Sequence, residues 1–537
     1  MKKFITFFVS LSAVFSLGKG ACNAQSSVST PVSPLYAADI TVESNNLANQ
    51  RHVKIAAAFN GWLFAAYLVN DSVSGKGGVV VRYSKNGGIN WMPFNNYPYF
   101  RHSEYKACDI TVSGADTNHL NIFVGDVRMD LTTKKYEVEV QRYIKNTSYP
   151  STEVFFQQLD TNKVYDMALA NNYRQITSKD SLYNVGLIYS HGGLGKDSIV
   201  FATTEKKLAN KFGKPVVIAN APHYRKVSLA YMHSSSIHGA YCAAWELLDT
   251  TYSTVGHIQF SRTIRNLDSA WNKPVYLDSL LSVTPDKLRS PSISCQYNAA
   301  DNDSASASIA VSYDYYNGSN FDVIGSYNMK GDSTNFWNSF VIDSTGHNEI
   351  QSNLSYDPFA NNFIATYYDS TAGALQYLSE SAMFTTPRSW TVNNTQYNNN
   401  TANLKAPWPQ VIMNPSNNKA FFAWVMDPSN NNGVVLCDGE YLFTGIAEQT
   451  MSGFDVLTPY PNPANSGACL PVSSDIPVVL TISLYNTMGQ LMNRSTEHIG
   501  GGIQLLELNT SSYAAGVYFC HIATAEKTIT RRLVVEH

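Results

Sequence analysis

Seven short groups of charged and aromatic residues each stand just ahead of an apolar stretch: Arg51-His52, Tyr105-Lys106, Tyr165-Asp166, Tyr224-Arg225, Arg289, Asn348-Glu349 and Trp408. Arginine forks suit carboxylates and phosphates, and tyrosine or tryptophan faces suit sugar rings and peptides. Asp166 and Glu349 add two carboxylates, and glycoside hydrolysis needs such a pair at a defined separation. These groups are chemistry only if residues far apart in the chain reach one place. The candidate ligand-binding set is Arg51, Tyr165, Arg225, Arg289, Glu349 and Trp408, with no catalytic residue assigned.

The elements behind these groups supply the convergence. RHVKIAAAFNGWLFAAYLV, from Arg51, reads as two strands joined by an Asn60-Gly61 turn. Similar hairpins start at Ile110, Met167, Val227, Ile293, Leu354 and Val411, and from Val53 the intervals are 57, 57, 60, 66, 61 and 57 residues. A fixed period of this length predicts a propeller, with each hairpin the inner part of one blade. The expected fold is all-β, a seven-bladed β-propeller over 37–445 (six-bladed as alternative) followed by a small C-terminal β-sandwich. Innermost strands of a propeller all begin at one face, so the residues before them would ring the channel mouth. The seventh hairpin is one strand short, and Ala37 to Glu43 (AADITVE) is expected to complete it from the other end of the chain. Trp91, Phe212, Trp271, Trp337 and Trp390 punctuate the outer parts of successive repeats, where they would cover the gaps between blades.

Composition narrows the class. Charged residues make up 15% of the 537, against roughly 25% in an average soluble protein, and the formal net charge is -3. No basic run marks a nucleic-acid partner. Lys2 and Lys3 precede an apolar run from Phe4 to Leu17, and Cys22-Asn23-Ala24 offers a cleavage site, so 1–24 reads as a signal peptide. A lipoprotein signal at Cys22 is the rival reading. Residues 25–36 form a Ser/Pro linker, and no later segment is long and apolar enough for a membrane span. Export permits disulfides, and Cys469 and Cys520 are the pair that could form one, whereas Cys242 and Cys295 read as buried small apolar residues.

Ser84-Lys85-Asn86-Gly87-Gly88-Ile89-Asn90-Trp91 resembles the Asp-box, S-x-D-x-G-x-T-W, of sialidase-like β-propellers. Ser84, Gly88 and Trp91 match, and Asn86 and Asn90 stand at the Asp and Thr places. In those families the motif is a structural turn remote from the active site. The resemblance also implies three arginines on a substrate carboxylate, a Tyr–Glu nucleophile pair and an Asp acid. Arg51 lies ten residues before Gly61, as in their first-strand motif, but His52-Val53 replaces the usual Ile-Pro and no acid or Tyr–Glu pair can be assigned.

Residues 446–455 read as a linker, and 456–537 resembles the C-terminal sorting domain of the type IX (Por) secretion system of Bacteroidetes. The resemblance is carried by Tyr460-Pro461-Asn462-Pro463-Ala464, LTISLYNTMGQ with its turn at Gly489, Ala515-Gly516-Val517-Tyr518-Phe519, and Arg531-Arg532-Leu533-Val534-Val535. It implies passage across the outer membrane by the type IX machinery, then release or attachment at the surface. No metal motif, phosphate loop or nucleophile elbow occurs, and neither metal nor cofactor is expected. Asp427 to Gly433 has the wrong spacing for calcium and reads as a surface turn. The sequence thus points to an exported noncatalytic module binding glycan or surface protein. A sialidase-like glycosidase and a structural surface component are the alternatives.

Overall fold

The structure, a computed structural model, describes most of residues 39–441 and 454–537. Outside the description lie 1–38 and 442–453, and with them the signal peptide and the first linker, together with connecting segments such as 71–75, 95–100, 173–183, 205–211, 279–286, 298–306, 331–336, 380–394, 399–403 and 428–432.

Residues 40–441 form an all-β, propeller-like array of antiparallel units in chain order: 50–93, 103–160, 164–221, 224–276, 288–343, 349–396 and 410–441. The fourth and fifth share one sheet through a single pairing, Gly256 with Leu288. In each unit the second strand is almost wholly buried. Leu63–Asn70, Ala240–Leu248 and Lys419–Met426 are near-continuous apolar runs, as expected for strands covered on both faces.

What holds one unit to the next is a set of seams. One apolar cluster draws on both the first and second units (Phe64 and Val81 with Ile110 and Val124), and others join each later pair of neighbours. A further cluster joins the ends of the series, packing Val53, Leu63 and Tyr67 of the first unit against Phe421, Val425 and Cys437 of the seventh. Outer aromatics close the same seams edge-on. Phe212 meets Phe156, Trp271 meets Phe201, and Trp337 meets Phe260, with centroids 5.6, 4.8 and 4.7 Å apart. Trp390 lies outside the described residues.

Polar links cross between inner strands at the same spacing as the repeat. The amides of Leu169, Val227, Ile293, Leu354 and Val411 donate to side chains of Asp109, Asp166, Ser228, Ser292 and Asn353, each on the preceding inner strand. Neighbouring inner strands are not paired as a ladder, so these short polar residues satisfy amides that would otherwise be buried and unmade. Asn414 completes the series by donating to the Gly61 carbonyl, 3.0 Å, from the seventh unit back to the first.

The short strand Ile40–Thr41 pairs antiparallel with Leu436 and Cys437 of the seventh unit. Gln50 adds a second tie, since its amide donates to the Gly433 carbonyl and its side-chain oxygen accepts from Val435. The turn at Ser84–Trp91 follows the geometry expected of its sequence. Ser84 Oγ accepts from the Gly88 amide at 2.9 Å, Asn86 Oδ1 accepts from the Asn90 amide at 3.0 Å, and Gly88 has φ +96°. A side chain at Gly88 would strike Phe421, whose ring lies 5.8 Å from that of Trp91. The turn thus packs into the seam between the first and seventh units.

Residues 454–537 make two further sheets around one apolar core that includes Leu470, Leu480, Ile482, Ile522 and Leu533. A strand over Phe454–Val456 pairs with Val472–Ser474 at its start. Asn462 is the clasp: its side chain accepts from the Val534 amide at 2.7 Å and donates to the Arg532 carbonyl at 2.9 Å. Gly489 takes φ +77° in the Asn486–Gln490 turn, Gly516 opens the strand Gly516–Ala523, and Tyr518 donates to the Ala514 carbonyl. Pro461 lies outside the described residues, and Pro463 follows Asn462 through a cis bond. Cys469 and Cys520 are both free thiols, as are Cys242 and Cys295.

Candidate functional site

The inner strands share a local irregularity where they begin. Register slips between Arg51 and Lys54, Tyr105 and Ala107, Val164 and Asp166, Tyr224 and Val227, Arg289 and Ser292, and Ile350 and Asn353. Such a bulge leaves ladder positions unpaired and re-aims the side chains they carry. Within it His52, Ser290 and Gln351 take φ +51°, +55° and +60°, and Trp408 takes +47° at the matching place before the seventh inner strand. Positive φ on residues other than glycine is uncommon and collects at functional positions.

The bulge decides which side chains meet. Trp408 stacks on His52 with ring centroids 6.0 Å apart, and Lys226 Nζ lies 5.0 Å from the Trp408 ring centroid. These three come from the first, fourth and seventh units, so Lys226 reaches well beyond its sequence-adjacent units. The Asp166 carboxylate is 3.9 Å from it. Burial, with the positive charges of Lys226, Arg51 and Lys54 close by, pushes His52 down to about 3, so the imidazole is neutral. Lys226 is 35% exposed, and His52 and Trp408 are half-buried.

The arginines are differently placed. Arg225 pairs with Asp197 at 2.9 Å and lies over the Tyr165 ring at 4.1 Å. Arg289 pairs with Asp314 at 3.1 Å and lies over Phe321 at 3.6 Å. Arg51 donates to the Tyr105 carbonyl at 3.1 Å. Tyr165 and Arg225 are thus brought together, while among the described residues the three guanidiniums share no hydrogen-bond or ion-pair partner. Glu349 is fully buried at the start of the sixth inner strand, where Thr345 donates to it.

Glu246, buried on the second strand of the fourth unit, is influenced by Lys226, Asp314 and Arg289. Burial pushes its carboxyl up to about 7. A raised carboxyl contributes stability that is complete below the unfolded-state value and is lost as pH rises through the folded-state value. Relative to Glu246→Gln, the wild type is therefore expected to lose on the order of 3 kcal/mol between pH 4.5 and pH 8. Thermal melts of both proteins across that range check it, and a constant gap would refute it.

A second polar group lies between the first two units. Arg128, almost fully buried, pairs with Asp126 at 2.9 Å and with Glu137 and Glu139 at 2.7 Å each. Arg128, Asp126 and Glu139 line a cavity of about 40 Å³ together with Arg101, Tyr105, Gln141 and Tyr143. One guanidinium cannot neutralise three carboxylates. Despite its burial, Glu139 is held below the usual range by Arg128, while burial pushes Asp126 up to about 7. Sequence reading missed this group, although Asp126, Arg128 and the Glu137/Glu139 alternation stand at period-2 spacing on adjacent strands. It also did not single out Lys226, which lies beside Arg225 in the stretch where register slips between Tyr224 and Val227.

Residues 458–536 match the secretion system C-terminal sorting domain family (Por_Secre_tail). That domain sends the chain across the outer membrane, to the cell surface or into the medium, and implies interaction with the type IX secretion machinery. Comparison with curated proteins gives no match. Among solved structures, the α-L-arabinofuranosidase Arb93A of Fusarium graminearum is similar at 10% identity and TM-score 0.42, over 76% of this chain and 98% of that one. The α-L-arabinanase of Penicillium chrysogenum gives 8%, 0.41, 75% and 98%. The six-bladed, fucose-recognising lectin of Aleuria aurantia gives 11%, 0.35, 67% and 100%. Likeness at this level carries no argument about activity. Among the described residues, no helix is long and apolar enough to cross a membrane.

Proposed function

We propose that residues 37–445 form a seven-bladed propeller acting as a noncatalytic binding module, which the sorting domain delivers to the cell surface or the medium. Its ligand is a glycan or protein bearing acidic groups, held at the face where the inner strands begin. The observation that carries this reading is the meeting of His52, Lys226 and Trp408 from three separate repeats. An aromatic plate beside a partly exposed ammonium suits a sugar ring or peptide with a carboxylate. The seam between the first and seventh units supports a ring of seven.

The test is binding of the full-length protein to a panel of acidic and neutral polysaccharides and surface proteins. Trp408→Ala is expected to weaken the acidic ligand's binding about tenfold or more, with thermal unfolding little changed because the side chain is half-buried. Unchanged affinity in that variant, or no ligand in the panel, counts against the site.

A further inference from the structure

Glu349 and Asp369 are cross-strand partners in the sixth unit, both almost wholly buried. Like charges directly opposite one another destabilise a sheet, and a buried carboxylate without a partner is costly. Neither has a lysine or arginine partner among the described residues. Glu349 Oε1 accepts from Thr345, but Oε2 is buried with no hydrogen-bond partner. Asp369 Oδ1 caps the Thr371 and Ala372 amides, which leaves Oδ2 for His347 Nδ1 at 2.8 Å. Asp343 adds a third negative charge close to Glu349 and accepts from Tyr367.

The loop from Asp343 to Glu349 turns at Gly346, φ +88°, and carries His347 to this pair. One ligand atom from each of His347, Glu349 and Asp369 falls within 4.8 Å of the others. Two carboxylates and an imidazole, with one carboxylate oxygen otherwise orphaned, are short of one cation.

We propose that His347, Glu349 and Asp369 bind a divalent first-row transition-metal cation of the zinc or manganese type at the start of the sixth inner strand. The imidazole favours such an ion over calcium, whose ligands are oxygen. An ion about 2.1 Å from both His347 and Asp369 needs these two side chains to part by well under 1 Å from their present contact. The ion replaces the like-charge contact between the strands with attraction, so binding also stiffens the sheet against its neighbour.

The test is calorimetric titration of the full-length protein, stripped with EDTA, using zinc, manganese and calcium chlorides in turn. One zinc or manganese ion per chain is expected to bind and to raise the melting temperature. Glu349→Gln is expected to weaken that affinity by at least about 100-fold, and His347→Ala to abolish the preference over calcium. In EDTA, Glu349→Gln is expected to melt no lower than wild type, since it removes one of two facing charges, whereas with zinc the order reverses. The proposal is overturned if no ion binds, if Glu349→Gln binds as wild type does, or if calcium alone binds and ignores His347→Ala.

Discussion

Arg128→Ala is expected to lower the stability of the 37–445 region by about 3–5 kcal/mol, because it strands buried carboxylates that the arginine now pairs with. Asp126, Glu137 and Glu139 all contact this one side chain, which is 3% exposed. Removing it does more than delete three ion pairs: it leaves three carboxylates facing one another beside Tyr105, with Arg101 the nearby cation, 3.9 Å from Glu139. The cost is therefore the desolvation of uncompensated charge and not the net worth of the pairs. A quadruple change, Arg128→Leu with Asp126→Asn, Glu137→Gln and Glu139→Gln, should recover most of the loss, since it removes all three carboxylates along with the cation. Urea midpoints of the three proteins check this. A loss below about 1 kcal/mol in Arg128→Ala would show that solvent reaches the group.

Trp245→Ala should cost a similar amount, about 3–5 kcal/mol, by a different route. Trp245 is fully buried in the seam between the third and fourth units, among Ile188, Phe201, Tyr231 and Leu247. Truncation opens a cavity between two sheets that are joined mainly by side chains, so neither can collapse onto it without shifting as a whole. Trp245→Phe is the informative companion. It keeps most of the apolar surface but removes the donor to Gln259 Oε1, 2.8 Å away, which Tyr224 also reaches at 3.4 Å. A cost of about 1–2 kcal/mol is expected, because the acceptor retains one partner. Equal losses in the two variants would mean that the hydrogen bond, and not the packing, holds the seam.

The repeat was legible because it is written in two periods at once. Alternation and apolar runs mark strands within each unit, and the spacing from Val53 to Val411 marks the units. The Ser84–Trp91 turn was legible for a local reason: its hydrogen bonds link residues at most four positions apart. The closing strand was also readable, since a unit lacking a strand and an unclaimed alternating segment imply one another.

The site was only partly legible. The left-handed conformations at the strand starts fall on His52, and also on Ser290, Gln351 and Trp408, which have no special tolerance for positive φ. Those at His52, Ser290 and Gln351 sit where register slips against the partner strand, a feature of long-range pairing that local propensity does not carry. The sequence singled out Arg225, which lies over Tyr165, but not its neighbour Lys226, whose ammonium lies near the Trp408 ring, nor the proximity of Glu349 to His347 and Asp369. The Arg128 group was hidden more deeply. Alternating charges on a strand usually face solvent, and here a neighbouring unit covers them.

The pairing of Ile40–Thr41 with Leu436–Cys437 has a consequence for how the molecule is made. The earliest segment of the array to leave the ribosome finds its partner only after some four hundred further residues have been joined. Until then a nascent chain carries raw sheet margins at both extremities, and each is a template for pairing with another copy. A chain truncated before Leu436 therefore leaves Ile40–Thr41 without its partner strand, an unpaired margin open to another copy.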